Sequence, residues 1–207
     1  LVKHNNNSIS AVTSMASLST GSMTLIKEVT ASSDASISFV DGSSDVVLDS
    51  TYPIYKFEFI NMHPATNNVS FQFNFSTDSG SNYNVTKTST NFRSYHFESD
   101  AAAALQYQTS QDLAQSTSYQ NFFGDDGLGN DNDQSTSGYL HLFNPSSTTF
   151  VKHFIANTNM SHHSDLSVQN FIAGYGNTTS AIDAIDFKFS SGNIDAGTIK
   201  LYGIKDS

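Results

Sequence analysis

The chain has 207 residues, with 9 Lys and Arg against 19 Asp and Glu for a formal net charge of −10, and it contains no Cys and no Trp. The missing thiols exclude disulfides and thiolate metal sites, and the acidic balance argues against gripping a nucleic-acid backbone, which takes clustered Lys and Arg. No apolar run approaches the roughly 20 residues of a membrane-spanning helix, so no membrane insertion is expected.

Only 14% of the residues are charged, against about 25% in an average globular protein. Ser, Thr and Asn take over the surface. Neutral hydrogen-bonding groups can be buried at contacts without stranding a charge, which suits dense assemblies and extracellular particles. The N-terminal stretch LVKHNNNSIS has no apolar leader segment; the expectation is assembly inside a cell followed by release on lysis.

Residues 1–24 are low in complexity and lack a sustained period. They read either as a loose tail or as an extended arm lying on a neighbouring subunit, with Val12, Met15 and Leu18 as sparse anchors. Residues 25–207 read as one β-sandwich domain. ASISFVDGSSDVVLD, 35–49, suggests two short strands around the turn pair Asp41-Gly42. YPIYKFEFINM alternates, with Tyr55, Phe57 and Phe59 on one face and Lys56 and Glu58 on the other. NVSFQFNFSTDSG repeats the pattern, turning Val69, Phe71, Phe73 and Phe75 inward. Burying each such ring is worth roughly 1.5–3 kcal/mol, so these strands alone supply a core.

SNYNVTKTST and NFRSYHF continue as strands. SDAAAALQYQTSQDLAQS, 99–116, predicts one short helix, capped by Ser99 or Asp100 and led by four Ala of high helical propensity. Short strands follow in GYLHLFN, TTFVKHFIANTN, DLSVQNFIAGY, IDAIDFKFSSG and GTIKLYGI, each bounded by Asn, Gly, Ser or Pro. About ten strands at near-regular spacing predict an all-β fold, an antiparallel jelly-roll-like sandwich with one short helix and an extended N-terminal arm.

FGDDGLGNDNDQSTSG, 123–138, gathers four Asp between glycines and amides. An EF-hand loop fails in both registers: starting at Asp125 puts glycines where ligands belong, and starting at Asp131 puts Thr136 at the glycine position and Leu142 at the final Glu. A solvated turn is the plainer reading; the alternative is an irregular Ca2+ site built from Asp125, Asp126, Asp131 and Asp133. His162, His163 and Asp165 are a candidate set for a metal such as zinc or nickel if they lie in a loop, although neighbours on a strand point to opposite faces. Tyr83, Tyr95 and Tyr119 are candidates for stacking against a sugar. No nucleophile elbow and no phosphate-cradling loop occurs, and no catalytic residue is assigned.

The stretches KHNNNSIS, HPATNNVSFQFNFSTDSGSNYNVT, FNPSSTTFVKHFIA and SSGNIDAGTIKLYGIK resemble a family of structural proteins encoded by marine tailed bacteriophages. The resemblance spans nearly the whole chain and carries no functional motif, so it transfers no site residue. It implies a non-enzymatic place in the virion, as a capsid decoration or as part of a fibre or tail. The expected partners are other virion proteins and copies of the chain itself, with a trimer as the expected state. The alternative is a receptor-binding lectin on the same particle, using the loops 78–84, 119–136 and 159–166 to hold a host glycan through Tyr83, Tyr119, His162 and His163.

Overall fold

The computed structural model describes residues 22–123 and 127–205. Val12, Met15 and Leu18 lie outside the described residues, as do Asp125 and Asp126. The first six strands are β1 (Met23–Thr30), β2 (Ile37–Val40), β3 (Ile54–Pro64), β4 (Phe71–Ser76), β5 (Lys87–Phe97) and β6 (Ala103–Tyr107). The next six are β7 (Gln120–Asn121), β8 (Thr136–Phe143), β9 (Lys152–His162), β10 (Leu166–Gly176), β11 (Ala184–Phe189) and β12 (Ile194–Ile204). Strand β1 takes in Met23 and Thr24, so the sheet begins two residues before the expected boundary.

All pairings are antiparallel and fall into two sheets. The larger has the order β1-β12-β3-β8-β9-β10-β5-β6 and the smaller β2-β11-β4-β7. The row β1-β12-β3-β8 matches the smaller sheet strand for strand, each strand being the sequence neighbour of its counterpart. The two excursions β5-β6 and β9-β10 then extend the larger sheet beyond that matched half.

Period-2 patterning explains the core. Tyr55, Phe57 and Phe59 of β3 are buried, as are Phe71, Phe73 and Phe75 of β4. Phe187 of β11 sits among them, with ring centroids 5.3 Å from Phe57, 5.2 Å from Phe59 and 6.1 Å from Phe39. Such edge and tilted contacts add to area burial. Ile199 and Leu201 are buried on the inner face of β12, with Lys200 and Tyr202 opposite, as the alternation predicts.

Two expected elements differ. The segment 99–116 is not a helix: Ala103–Tyr107 is strand β6, paired to β5 from Phe92↔Tyr107 to His96↔Ala103. Asp100 turns the chain at φ 58, and Gln115 lies at φ 51, both left-handed and incompatible with a continuous helix. Pairing with β5 outweighs alanine propensity here, because the helix had almost no apolar stripe to bury. In 35–49 only β2 forms. Val46 and Leu48 are still buried, with the Leu48 N–H bonded to Asp41 Oδ1 at 2.8 Å.

Candidate binding face

Beyond the matched half, β9, β10 and β5 carry polar side chains inward. Asn91, Asn170, Lys87 and Lys152 are all fully buried. Lys152 Nζ is held by the carbonyls of Phe150 at 2.7 Å and Thr178 at 3.2 Å. The outward parity of the same strands is the reverse case, apolar where water would be expected. Phe92 is 41% exposed and Ile155 49%.

The registers place Tyr139, Asn157, Phe171, Phe92 and Tyr107 in one row across five strands. The adjoining row runs His141, Ile155, Ala173 and Thr90. Phe92 and Phe171 stack with centroids 4.9 Å apart and planes at 10°. Ala173 is the short side chain between Phe171 and Tyr175, so the surface dips there. One hollow of about 450 Å³ lies between Tyr175, His153, Ile155 and Thr88. A second, of about 230 Å³, lies between Phe92, Tyr139, Asn157 and Phe171. Both share Thr90, Ile155 and Ala173, and together they make one shallow trough.

The outward side chains of β8, β9, β10, β5 and β6 include no Lys, Arg, Asp or Glu. Charges return on the other half as compensated pairs, Lys56–Glu58 at 2.6 Å and Lys200–Glu28 at 3.1 Å. Amides border the trough: Gln169 Nε2 donates to Asn157 Oδ1 at 3.2 Å, and Asn159 Nδ2 to Ser167 Oγ at 3.0 Å. Burial, and secondarily the Lys56 ammonium, lowers the pKa of His141 below the usual imidazole value. That ring is therefore a neutral part of the aromatic surface. Flat rings, small aliphatic gaps and neutral amides suit binding by stacking and hydrogen bonding.

The residues singled out from sequence lie elsewhere. Tyr119 bonds Asp186, and Tyr83 is half-buried near the same carboxylate. Tyr119 Oη donates to Asp186 Oδ2 at 3.0 Å, Ser38 Oγ donates to Oδ1 at 2.6 Å, and Lys188 caps the Tyr119 ring at 4.0 Å. Burial raises the pKa of both phenols. Tyr95 packs edge-on against Phe97. His162 and His163 do come together, with ring centroids 4.1 Å apart, because β9 ends at His162 and the chain turns. His162 Nδ1 accepts the Ser164 N–H at 3.0 Å, and the Gly127 carbonyl accepts the His163 backbone N–H at 3.4 Å. Asp131 and Asp133 are exposed on a turn closed by the Gln134 N–H to Asp131 O at 2.8 Å. Among the described residues, no three His, Asp or Glu side chains gather as a metal-binding group.

One signal for the trough was present in the sequence. In LSVQNFIAGYG both parities carry apolar residues, Val168 and Ile172 on one and Phe171 and Tyr175 on the other, which marks a strand with contacts to make on both faces. No protein family, curated protein or solved structure matches the chain.

Proposed function

We propose that the chain is a non-enzymatic structural protein of a tailed-bacteriophage virion, a capsid decoration or a fibre or tail component. The segment before β1 tethers it, and its sandwich presents the trough-bearing face to a partner. The observation that carries this reading is that uncharged face, rich in half-exposed aromatics. A chain of net charge −10 that keeps one broad surface free of charge has a surface suited to contact.

Topology supports it. We read the orders β1-β12-β3-β8 and β2-β11-β4-β7 as an eight-stranded jelly roll made from two Greek keys, a fold used by capsid and lectin domains. On this reading β5-β6 and β9-β10 are insertions into the roll, and they build most of the binding face. Deleting residues 1–20 should abolish incorporation into particles while the purified domain keeps its β circular-dichroism spectrum. A chain that is absent from purified particles, or a truncated chain that assembles normally, overturns the proposal.

The stacked Phe92–Phe171 pair beside Asn157 and Gln169 favours a second reading, a lectin on the same virion that holds a neutral host glycan in the trough. Filling the dip with Ala173→Trp should then abolish glycan-array signal and cell adsorption while leaving particle assembly intact. Unchanged glycan binding in that variant removes the trough from consideration.

A further inference from the structure

Strand β6 ends the larger sheet, and among the described residues no strand pairs with its far side. Antiparallel ladders alternate, so every second residue aims its N–H and C=O away from the partner strand. The Gln108 N–H bonds to Asn91 O at 2.8 Å and the Phe97 N–H to Ala102 O at 3.1 Å. The even-numbered residues therefore face β5, and Ala103, Leu105 and Tyr107 aim their backbone groups outward.

Exposed edges usually carry a charge, a bulge or very short length, which blocks pairing with another chain. The opposite edge, β1, carries Lys27 and Glu28 and a register shift between Leu25 and Lys27. In the smaller sheet β7 has two residues and β2 four. Strand β6 has none of these guards. Residues 101–111, AAAALQYQTSQ, contain no charge, and Leu105 is 72% and Tyr107 51% exposed.

We propose that β6 is a self-association edge: two copies of the chain pair their β6 strands antiparallel about a two-fold axis at Leu105, joining their larger sheets into one. Each copy contributes the outward N–H and C=O groups of Ala103, Leu105 and Tyr107. Leu105 meets its own symmetry mate, and the large Tyr107 meets the small Ala103 of the other copy, so the side chains are complementary on the trough face. A two-fold contact of this kind is self-complementary by construction. Charge selects the same partner: copies of net charge −10 repel over most of their surfaces and can approach along an uncharged edge. The nearest acids, Asp100 and Asp112, lie beyond the strand ends and are engaged by His96 at 2.9 Å and Tyr107 Oη at 2.7 Å. This inference stands independently of any place in a virion.

Sedimentation analysis of the full chain and two variants tests it. Leu105→Pro removes an outward N–H without touching the β5–β6 ladder, a substitution an edge strand tolerates. Leu105→Lys places a charge on the axis. Each should halve the mass of the wild-type species, to 22.4 kDa if that species is a simple dimer, with the thermal unfolding profile of the monomer retained. Because the chain has no Cys, Leu105→Cys offers a single thiol per copy, and oxidation should yield the covalent dimer while Glu28→Cys yields none. A wild-type chain that stays monomeric to its solubility limit, or variants that keep the wild-type mass, overturns the proposal.

Discussion

Lys87 sits on the inward parity of β5, fully buried, where its Nζ donates to Asn74 Oδ1 and, at 2.9 Å, to Val85 O. Burial disfavours the ammonium and holds its pKa down at about 7, against 10.5 for a free lysine. Between those values the unfolded chain carries a proton that the folded chain has released, so stability rises with pH across that window, by about 1.4 kcal/mol per unit at most. Below pH 7 both states are protonated and this contribution is flat. Above about pH 10 the direction reverses, since buried Tyr55 and half-buried Tyr83 and Tyr119 hold their protons longer when folded. Denaturant midpoints should therefore increase from about pH 7.5 to about pH 9.5 in the wild type. In Lys87→Met the increase should shrink to the part left by buried Lys152, whose pKa burial also lowers; an undiminished slope assigns it to another group. Asn170 poses the neutral version of the same problem. Its amide is fully buried and neither side-chain atom has a hydrogen-bond partner within the protein. Such a group costs roughly 1–3 kcal/mol. Asn170→Leu, alike in branching though larger, should raise the unfolding midpoint if the strands make room for its methyls, and a fall in both this variant and the smaller Asn170→Val would show that the amide is satisfied. Neither burial is legible in the sequence: Lys87 lies in a polar stretch, and Asn170 in a strand whose two parities are both apolar, so alternation does not say which parity faces in.

Single strands show where sequence patterning works and where it fails. β3, β4 and β12 were readable because their two parities differ sharply, aromatic or aliphatic against polar. The helix expected over 99–116 gives way to β6 because four alanines carry no facial information. Propensity then decided on paper what pairing with β5 decides in the protein. The informative residues were Leu105 and Tyr107, two apart in strand rather than helical spacing. Strand β10 is legible as a strand, but its double-sided apolar pattern does not say which parity is the outer one, so it does not by itself reveal the trough. Gly174 adds a constraint on this strand. A methyl there would lie 2.5 Å from Thr88 O and 2.7 Å from Phe154 Cζ, so the inner surface closes against β5 and β9 only with glycine. Gly174→Ala should destabilise the fold by about 1–3 kcal/mol, measurable as a lowered denaturant midpoint with unchanged slope. Wild-type stability in that variant would mean that the three strands can spread freely at this point.

For the whole molecule, the question is whether the extended half of the larger sheet folds with the matched half or separately. The aromatic cluster answers it by continuity. Phe187 touches Phe39, Phe57, Phe59 and Phe71, all in the matched half, and reaches Phe122 just after β7. Phe122 lies 5.1 Å from Phe73, which in turn meets Phe154 of β9 edge-on at 5.2 Å. The extending strands are thus joined to the matched half through rings as well as through the ladder from β8 to β9. Removing the centre, Phe187→Ala, should cost about 3–5 kcal/mol, the usual range for a buried aromatic. If one core serves both halves, the weakened protein still unfolds in a single transition, with circular dichroism and tyrosine fluorescence changing together. If the extended half has its own stability, the two probes separate, and hydrogen exchange in β5 and β10 stays near its wild-type rate while β3 and β11 open. A trough on an element that opens by itself would be a poor rigid platform, so the coincidence of those two curves bears directly on whether this face can be presented ready-made to a partner.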